Sequence, residues 1–445
     1  MKILVLSQYW YPENGVPQRR WAWLSRILIR NGHQVTVIAP PPHYQRKISL
    51  RQWVDQRSFR SARHAEEGPA GERVIRSGFF PAGRSLTQRI FNQASVAASM
   101  VLMHLNSSHQ LRKLRPDLVI GTVPALPTSA VTRLVAGIHR VPYVIDLRDA
   151  WPDLLRESRD WNSGTGRRTL REKILSRGPL QVLTKATEKV MYSALRKSAG
   201  VITTTQRESD YLANYFARTM PGPKPELTTI RNVFAPRSDY DRQVKAPREG
   251  GLNVLYAGTL GRAQKLENAL EATKIAQDKG LDVHLRMIGD GATWFALNER
   301  AEELGLDVDF HHRLPADQLR EYYEWADTAL VHLTDWDALE RAIPSKTYEL
   351  MQLGIHISAA VAGEAASLIH QLHAGHVVEP ENPQALADLW LSLAQNPEML
   401  QVGEAGRAWV EHQRDEVVPD NLLDILDRIE RNNAAMKRNP QKSTR

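Results

Sequence analysis

Cysteine is absent from this chain of 445 residues. Its absence excludes disulfide bonds, thiolate metal sites and cysteine nucleophiles. Long apolar runs are absent too, since no stretch approaches the ~20 residues that a membrane-spanning helix needs. The apolar N-terminal run in MKILVLSQYW turns polar at Ser7, which is too short for a secretion signal. We therefore expect a cytoplasmic protein.

Acidic residues are scarce in the first half of the chain. Residues 1–230 contain 35 Lys and Arg against 16 Asp and Glu, whereas residues 231–445 contain 23 against 34. This asymmetry predicts two domains with different partners. A basic half favours nucleic acid, anionic lipid or phosphorylated substrates as its partner.

Two basic segments carry apolar residues between their charges, at residues 46–64 (with Trp53 and Phe59) and at residues 166–185. Such mixtures suit an anionic membrane surface, where each cation contributes ~1 kcal/mol. No base-stacking or groove-reading motif is present, so we expect no nucleic-acid partner. The apolar run 95–105 is too short to cross a bilayer.

Strand and helix patterns alternate in two blocks separated by residues 234–251, which are rich in Pro, Gly and charge and predict a linker. In the first block the predicted strands are 2–7, 34–39, 73–78, 117–122, 142–147 and 200–205, with a helix near 17–31. In the second block they are 252–258, 283–289, 308–312, 328–333, 355–360 and 376–380, with helices at about 264–279, 293–304, 316–325, 344–353, 363–373 and 383–394. Alternation of this kind predicts α/β domains with doubly wound parallel sheets.

The predicted architecture is two tandem Rossmann-like domains that face each other across a cleft, with ligands beyond the carboxyl ends of the strands. We expect an N-terminal domain at 1–235 and a C-terminal domain at 236–413. A C-terminal helix at 414–435 is expected to pack back toward the first domain, followed by a disordered tail at 436–445.

The first strand leads into SQYWYPENGVPQRR, where Gly15 and Val16 precede a helix. Gly15 allows close approach of a ligand to the backbone, and the helix directs its positive end at that ligand. A plain tight loop is the equal alternative. The dinucleotide motif Gly-x-Gly-x-x-Gly is missing, and no acid follows the second strand, which disfavours a nicotinamide or flavin cofactor. No cofactor is expected.

The second block opens with YAGTLGRAQKLENAL, which places Gly258, Gly261, Arg262 and Lys265 between a strand and a helix. Glycines, cations and a helix dipole together suit a diphosphate leaving group, although a glycine turn with solvated cations is the alternative. After the next strand, IGDG contains Gly289 and Asp290, whose main chain is a weaker candidate for contact with a nucleotide base.

The stretch PSKTYELMQLG begins a helix at Pro344 and Ser345, and it puts Lys346 and Glu349 on one face of the first turn. One interpretation is a surface ion pair at a helix start. The other is a turn that binds the phosphates and hydroxyls of a ligand.

Three further groups of residues leave alternatives open. Asp335 and Asp337 form Asp-Trp-Asp, a pattern of metal-dependent transferases with another fold, and we expect solvated loop acids and no metal. His311-His312 lacks the carboxylates of a zinc site and is a candidate for the base pocket. Arg148-Asp149 follows a strand, where an ion pair that holds the loop and a contact with a ligand beyond the strand end are equal alternatives.

Taken in order, SQYWYPENGVPQRR, RDAWPD, YAGTLGRAQ, IGDG and PSKTYELMQLG resemble the retaining glycosyltransferases of the two-Rossmann (GT-B) type, glycosyltransferase family 4. The resemblance extends from residue 1 to about 433 and is weakest at 45–115. It is closest to the branch that builds O-antigen, capsule and exopolysaccharide, which includes N-acetylfucosamine transferases.

The resemblance implies that the domain at 1–235 binds the acceptor and that the domain at 236–413 binds the nucleotide sugar. It also implies roles for individual residues. Glu349 matches the carboxylate that holds the nucleotide ribose, Lys346 faces the diphosphate, and Arg262 matches the arginine that neutralises the leaving diphosphate. Arg148-Asp149 stands where the family often has His-Asp, close to the sugar.

The chain departs from the family pattern at three places. Arg341 replaces a frequent glutamate eight positions before Glu349. Gln264 and Lys265 replace the usual lysine and glycine, and Gly354 is followed by Ile355-His356 where Gly-x-Pro is common.

We therefore predict a metal-independent retaining hexosyltransferase that moves a sugar from a nucleotide-diphosphate donor, with a UDP-sugar favoured, to a lipid-linked glycan in cell-surface polysaccharide synthesis. Its expected place is the inner face of the plasma membrane, as a peripheral protein. The catalytic candidates are Arg262, Lys265, Arg148 and Asp149, and the substrate-binding candidates are Gly15, Val16, Gly261, Gly289, Asp290, Pro344, Ser345, Lys346 and Glu349. The alternatives are a nucleotide-sugar 2-epimerase of the same fold and a non-catalytic glycan-binding relative.

Overall fold

The computed structural model describes residues 1–13, 15–43, 48–62, 64–81, 86–105, 111, 114–123, 125–154, 156, 179–234, 251–315 and 318–438. The chain divides into two compact units. The first unit contains residues Met1–Pro152, Lys185–Phe234 and Val418–Arg445. The second contains Asp153–Thr184 and Ala235–Val417.

The first half of the chain alternates strands with helices. The strands are β1 (Lys2–Leu6), β2 (Gln34–Ala39), β3 (Glu66–Glu67), β4 (Arg73–Arg76), β5 (Leu118–Val123), β6 (Tyr143–Leu147), β7 (Gly200–Thr203) and β8 (Glu226–Thr229). The helices are α1 (Val16–Arg30), α2 (Leu50–Asp55), α3 (Leu86–Leu105), α4 (Pro127–His139), α5 (Pro179–Arg196) and α6 (Gln206–Thr219).

These strands form one sheet in the order β3-β4-β2-β1-β5-β6-β7-β8. All neighbours are parallel except β3, which is antiparallel to β4. The central strands are continuous apolar runs such as ILVL in β1, and these residues are buried. A parallel strand that is buried on both faces has no solvent-facing side, so its sequence is apolar throughout and does not alternate with polar residues.

The second half alternates in the same way. Its strands are β9 (Gly251–Ala257), β10 (Asp282–Ile288), β11 (Val308–His311), β12 (Thr328–His332), β13 (His356–Ala360) and β14 (Gly375–Val378). Its helices are α7 (Glu267–Asp278), α8 (Trp294–Glu303), α9 (Leu319–Trp325), α10 (Ser345–Leu353), α11 (Gly363–Gln371), α12 (Pro383–Gln395), α13 (Ala405–His412) and α14 (Val418–Arg438).

The second sheet has the order β11-β10-β9-β12-β13-β14, and every pair is parallel. Its core contains Tyr256, Leu270, Met287 and Trp390, all of them almost fully buried. Because the strands run in one direction, the loops after β9, β10 and β12 leave the sheet at the same edge. This carboxyl edge is where the motifs of the second half lie.

The last helix, α14, belongs to the first unit. Its Ile425 and Ile429 lie against Gly200 of β7, where an added β-carbon would be 3.1 Å from either side chain. Asn421 donates to the Thr229 carbonyl at 3.2 Å, and Arg428 pairs with Glu226 at 3.2 Å. Apolar contacts and capped strand ends therefore attach α14 to the sheet of the first unit.

The predicted fold class, two doubly wound α/β domains, is confirmed. Strands β3 and β8 were missed, because Glu66–Glu67 and Glu226–Thr229 lack apolar runs. The C-terminal helix expected at 414–435 is present as a π-helical turn (Gln413–Val417) that continues into α14, and a 3-10 turn (Pro397–Leu400) and α13 precede it. Of the predicted linker, residues 235–250 lie outside the described residues, and so do residues 439–445 of the tail. Among the described helices, none has the length and apolarity to cross a bilayer.

Candidate functional site

The glycines after β9 and β10 allow two loops of the second unit to touch through their backbones. Gly258 donates to the Ile288 carbonyl at 2.8 Å, and Leu260 donates to the Asp290 carbonyl at 3.1 Å. A β-carbon on Gly289 (φ +156°) would lie 1.6 Å from the Gly258 oxygen. Only glycine fits such a contact. The IGDG glycines are thus explained by loop-to-loop packing, and the proposed contact with a base stays a prediction.

Helix α10 begins at the carboxyl edge of the same sheet. Its N-cap residue, Pro344, offers no side-chain cap, and its first turn contains no acid. The amides of Ser345 and Lys346 therefore begin a helix whose positive end is not compensated locally. Such a helix start favours an anion.

Lys346 lies on this first turn, and its ammonium group is buried. Its Nζ is sealed from solvent and has no hydrogen-bond partner among the residues that the structure describes. It lies 4.3 Å from the centroid of the Tyr256 ring, and a β-carbon on Gly258 would be 1.9 Å from it. Gly258 therefore leaves the space that Lys346 occupies, and the ring faces the cation.

Burial changes the acidity of this lysine. Loss of hydration, opposed in part by the charge of Glu349, lowers the pKa of Lys346 to about 7. An anion beside Nζ would stabilise the charged form again. A phosphate bound there would therefore keep the Lys346 ammonium charged at neutral pH.

Glu349 is half-buried on the same face of α10. Among the described residues no ion pair within 4.0 Å joins it to Lys346, and neither side chain has a hydrogen-bond or ion-pair partner. The surface ion pair considered for these two residues is therefore wrong. Two opposite charges without an ion-pair partner among the described residues thus lie on one face of α10, and that arrangement fits a ligand with phosphates and hydroxyls.

Arg262 and Lys265 lie on the loop between β9 and α7. Arg262 begins the 3-10 turn Arg262–Gln264, whose N-cap is Gly261, and it is exposed. Lys265 is also exposed, has a left-handed backbone (φ 35°) and is ion-paired with Glu381. The ammonium of Lys265 is thus neutralised by a carboxylate, unlike that of Lys346.

The Asp-Trp-Asp segment and Arg341 are held by other contacts of the second unit. The Asp335 amide donates to Glu381 at 3.2 Å. Among the described residues no cluster of three His, Asp or Glu residues has the geometry of a metal site. Arg341 donates to Asp153 at 2.8 Å, so the position where the family often has a glutamate carries an ion-paired arginine.

The histidines after β11 contact aromatic and acidic neighbours. His312 stacks on Trp294 with ring centroids 4.1 Å apart, and it lies 2.7 Å from a carboxylate oxygen of Asp290. Asp290 also accepts from the Arg313 amide at 3.3 Å. The IGDG aspartate therefore holds the β11 loop, and a role in the base pocket stays a prediction for both residues.

In the first unit, Gly15 is the N-cap of α1. Its amide donates to the Gln18 side chain at 3.1 Å, and Val16 is the first helical residue. This local capping interaction supports the plain-loop alternative. It leaves the helix start without an acid in its first turn.

At the carboxyl end of β6, Arg148 lies beside a buried ion pair. Asp146 accepts from Arg20 at 2.8 Å and from the Trp21 indole at 2.8 Å. Burial raises the pKa of Asp146, but Arg20 and these hydrogen bonds outweigh burial and lower it overall. Both members of the pair are fully buried.

Arg148 itself has no such partner. It is 8% exposed, and its Nε and Nη1 are sealed without a hydrogen bond to any described residue. Among the described ion pairs none joins it to Asp149, which is exposed. The alternative of an Arg148–Asp149 pair that holds the loop is therefore wrong.

Tyr256 was missed by the sequence analysis. It is the penultimate residue of β9, almost fully buried, and its hydroxyl donates to the Thr259 carbonyl at 2.7 Å. Its place at the carboxyl end of a strand, two residues before Gly258, was the available signal. Contact with Lys346 brings together residues about 90 positions apart, which no local pattern indicates.

Two family models match the chain and between them span most of it. The model described as Glycosyl transferase 4-like domain matches residues 15–232, and Glycosyl transferases group 1 matches residues 238–409. The first covers β2 to β8 of the first sheet, and the second covers all strands of the second sheet and α10.

The chain is also similar to individual proteins. It is 24% identical over 398 residues (87% of this chain and 90% of the relative) to a protein of Escherichia coli strain K12 described as "Putative colanic acid biosynthesis glycosyl transferase WcaI". The structure of sucrose-phosphate synthase from Thermosynechococcus elongatus matches with a TM-score of 0.66 and 14% identity, over 98% of this chain and 100% of that one. Anabaena HepE in complex with UDP-glucose matches with a TM-score of 0.58 and 14% identity, over the same shares.

The two parallel sheets, the order of the motifs on them and the two matching family models agree. The chain belongs to the glycosyltransferases of the GT-B fold, family 4.

Proposed function

We propose that this protein is a retaining hexosyltransferase that uses a nucleotide-diphosphate sugar, with UDP as the favoured nucleotide. The observation that carries the proposal is the pair of unpartnered charges on α10. The buried Nζ of Lys346 offers a charge to a diphosphate, and Glu349 offers a carboxylate to ribose hydroxyls. UDP and UDP-glucose complexes are among the structures with the same fold, which supports this choice of donor.

Catalysis in this proposal is stabilisation of the departing diphosphate. Negative charge grows on the leaving oxygen as the bond to the sugar breaks, and preorganised donors act where that charge develops. Lys346, the uncapped start of α10 and Arg262 would provide those donors. Retention is proposed on the family resemblance, with a front-face reaction in which the leaving phosphate takes the acceptor's proton.

The acceptor is proposed to be a lipid-linked glycan in cell-surface polysaccharide synthesis. The named role of the E. coli relative in colanic acid biosynthesis supports this context, and so does the match to WaaG, described as a glycosyltransferase of lipopolysaccharide biosynthesis. The first unit, matched by the 4-like model, would bind the acceptor.

Attachment to an anionic membrane through the first unit completes the proposal. Exposed apolar residues line α3 and α4, which pack together: Phe91, Leu102, Leu105, Leu134 and Ile138. Exposed cations, Arg140 and Lys189, lie on neighbouring segments. Trp53 of the basic segment 46–64 packs on the core and donates to the Phe79 carbonyl, so it does not contribute to this exposed surface. Residues 166–178 lie outside the described residues.

The donor assignment is tested by incubating the protein with a panel of nucleotide sugars and measuring nucleotide release, with and without a lipid-linked glycan. We expect release from a UDP-sugar, faster with acceptor, and a product that keeps the donor's anomeric configuration. An inverted product would contradict retention, and epimerised donor without transfer would indicate the 2-epimerase alternative. Donor binding without release would indicate a non-catalytic relative.

Membrane attachment is tested by co-sedimentation with vesicles. We expect binding to vesicles that contain anionic lipid, weaker binding as salt rises, and little binding to neutral vesicles. Leu102→Ser/Leu105→Ser should release the protein. Phe295→Ser in the second unit, at a side chain that is 79% exposed, is the matched control and should bind normally. Equal binding to neutral and anionic vesicles would contradict the proposal.

A further inference from the structure

The buried arginine at the carboxyl end of β6 lacks the partners that a buried charge requires. Arg148 follows the last residue of β6 and is 8% exposed. Its Nε and Nη1 are sealed without an acceptor, and no bond from Nη2 to a described residue is present. Buried charged groups are normally paired and hydrogen-bonded, because an unpartnered one costs free energy.

The nearest carboxylates do not supply that partner. Asp146 is committed to Arg20 and to the Trp21 indole, which occupy both of its oxygens. Asp149 is exposed and forms no ion pair with Arg148 among the described residues. Arg148 is therefore the second guanidinium beside an aspartate that already has one.

The charge of Arg148 persists at neutral pH. Burial, the largest cause, lowers its pKa to about 10, and the field of Asp146 opposes that change. The group remains a cation at pH 7, and a planar guanidinium forms its strongest hydrogen bonds with the two oxygens of a phosphate or carboxylate.

The position of Arg148 is that of a ligand site and not of a structural bridge. It lies where β6 leaves the sheet, and Thr204, which follows β7, donates to its carbonyl at 3.2 Å. This hydrogen bond joins the loops that follow β6 and β7, which are neighbouring parallel strands. Ligands of doubly wound sheets bind at this edge.

We propose that Arg148 binds an oxyanion, a phosphate or a carboxylate, carried by the acceptor substrate. The inference rests on the proposed function in assigning the anion to the acceptor, because the donor diphosphate is assigned to Lys346 in the second unit. The acceptor is accordingly an acidic molecule, whose charge comes either from the phosphates of a lipid carrier or from an acidic sugar.

The test uses the full-length protein saturated with UDP, which occupies the donor site and prevents anions from binding there. Inorganic phosphate and, separately, glucuronate are titrated in, with chloride at equal ionic strength as the reference. Binding is followed by calorimetry and by the rise in melting temperature. We expect wild-type protein to bind at least one oxyanion in the millimolar range and not to respond to chloride.

The variants locate the bound anion. Arg148→Met should weaken oxyanion binding at least tenfold, and Arg148→Lys, which keeps the charge but not the planar fork, should weaken it less. Arg73→Met, at an exposed arginine that begins β4 at the opposite end of the strands, is the matched control and should bind as wild type. If Arg148→Met does not fold, Arg148→Gln takes its place in the test, together with the selectivity of the wild-type protein for oxyanions over chloride.

The outcomes distinguish the two sources of the anion, and they distinguish failure of this proposal from failure of the proposed function. Preference for phosphate indicates a lipid-carrier phosphate, and preference for glucuronate indicates an acidic sugar. Equal oxyanion binding by wild type and Arg148→Met, or no binding by wild type at tens of millimolar, overturns the proposal. Failure of nucleotide release from every donor would instead overturn the proposed function, so the two failures are distinguishable.

Discussion

The two ends of the second sheet contain buried ionisable groups in opposite situations. At the amino ends of β12, β13 and β14, His356 lies 2.8 Å from both Thr328 and His376, and Thr328 also contacts Ser358 at 2.8 Å. At the carboxyl edge, Lys346 has no hydrogen-bond or ion-pair partner within the described part of the chain, and its ammonium group faces the Tyr256 ring.

This difference distinguishes, within one domain, a buried group that stabilises the fold from a buried group that is available to a ligand. Burial lowers the pKa of both groups, to about 3 for His356 and to about 7 for Lys346. The histidine network is closed and needs nothing from outside. The lysine is left incomplete, which is costly unless a ligand repays it. Changes at the amino end should therefore affect stability, and changes at the carboxyl edge should affect the donor.

The largest expected effect comes from removal of the incomplete cation. Lys346→Met should lower kcat/KM for the donor by about 10²–10³-fold, as expected for loss of a charge that stabilises a leaving group. Steady-state kinetics with the best donor measures this. Lys274→Met, at an exposed lysine of α7 paired with Asp278, should stay within twofold of wild type. A Lys346→Met enzyme with full activity would break the comparison.

The carboxylate of the pair should matter next. Glu349→Gln should raise the KM for the donor strongly, because ribose hydroxyls lose a charged acceptor at a cost of ~1.5–3 kcal/mol in transition-state terms. Unchanged kinetics would return Glu349 to the role of an ordinary helix-start acid.

The acidity of Lys346 predicts a pH dependence of nucleotide binding. Only the charged lysine attracts phosphate, so the affinity for UDP should be highest below its pKa of about 7 and should fall as pH rises from 7 to 9. The expected fall is roughly tenfold per pH unit at most, until the higher pKa of the complex is reached. Calorimetry on wild type and on Lys346→Met measures it. An equal slope in the two proteins would contradict the assignment.

At the opposite end of the sheet, His356 should affect acid stability. Its folded pKa lies far below the unfolded value of 6.5, so the unfolded chain binds more protons between these values. Stability should therefore be fully present above about pH 6.5 and decline as pH falls, by roughly 1.4 kcal/mol per pH unit from this group. Urea unfolding between pH 7 and 5 should show a smaller decline for His356→Gln. UDP affinity of that variant should match wild type.

The smallest expected effect concerns metal. If Asp335 and Asp337 are loop acids, chelation with EDTA should leave turnover within twofold, and the double alanine variant should bind donor normally. Activity that disappears with chelator and returns with magnesium or manganese would overturn this expectation.

Much of the fold followed from local patterns. Apolar strands such as KILVL in β1 and glycine after β9 each leave a signal within a few residues. Strand β8 left none, since ELTT joins the sheet through the pairing of Val201 with Leu227 and the packing of α14, which lie far apart in sequence.

In the candidate site too, the sequence predicted the features that are local and missed those that depend on distant residues. Lys346 and Glu349 were visible as neighbours on one helix turn, but the contact of Lys346 with Tyr256 was not. From the sequence, Lys265 and Lys346 were both expected to contact the diphosphate. In the fold, Lys265 is ion-paired with Glu381, which is distant in sequence. Whether a charge is partnered depends on residues brought together by folding, and sequence spacing does not report that.

The account depends most directly on UDP binding to the start of α10. Calorimetric titration of UDP at pH 7 into wild type, Lys346→Met/Glu349→Gln and the Lys274→Met control measures that binding. We expect wild type and control to bind equally and the double variant to lose at least 100-fold in affinity while it keeps the wild-type melting temperature within a few degrees. A folded double variant that binds UDP as tightly as wild type would contradict the account.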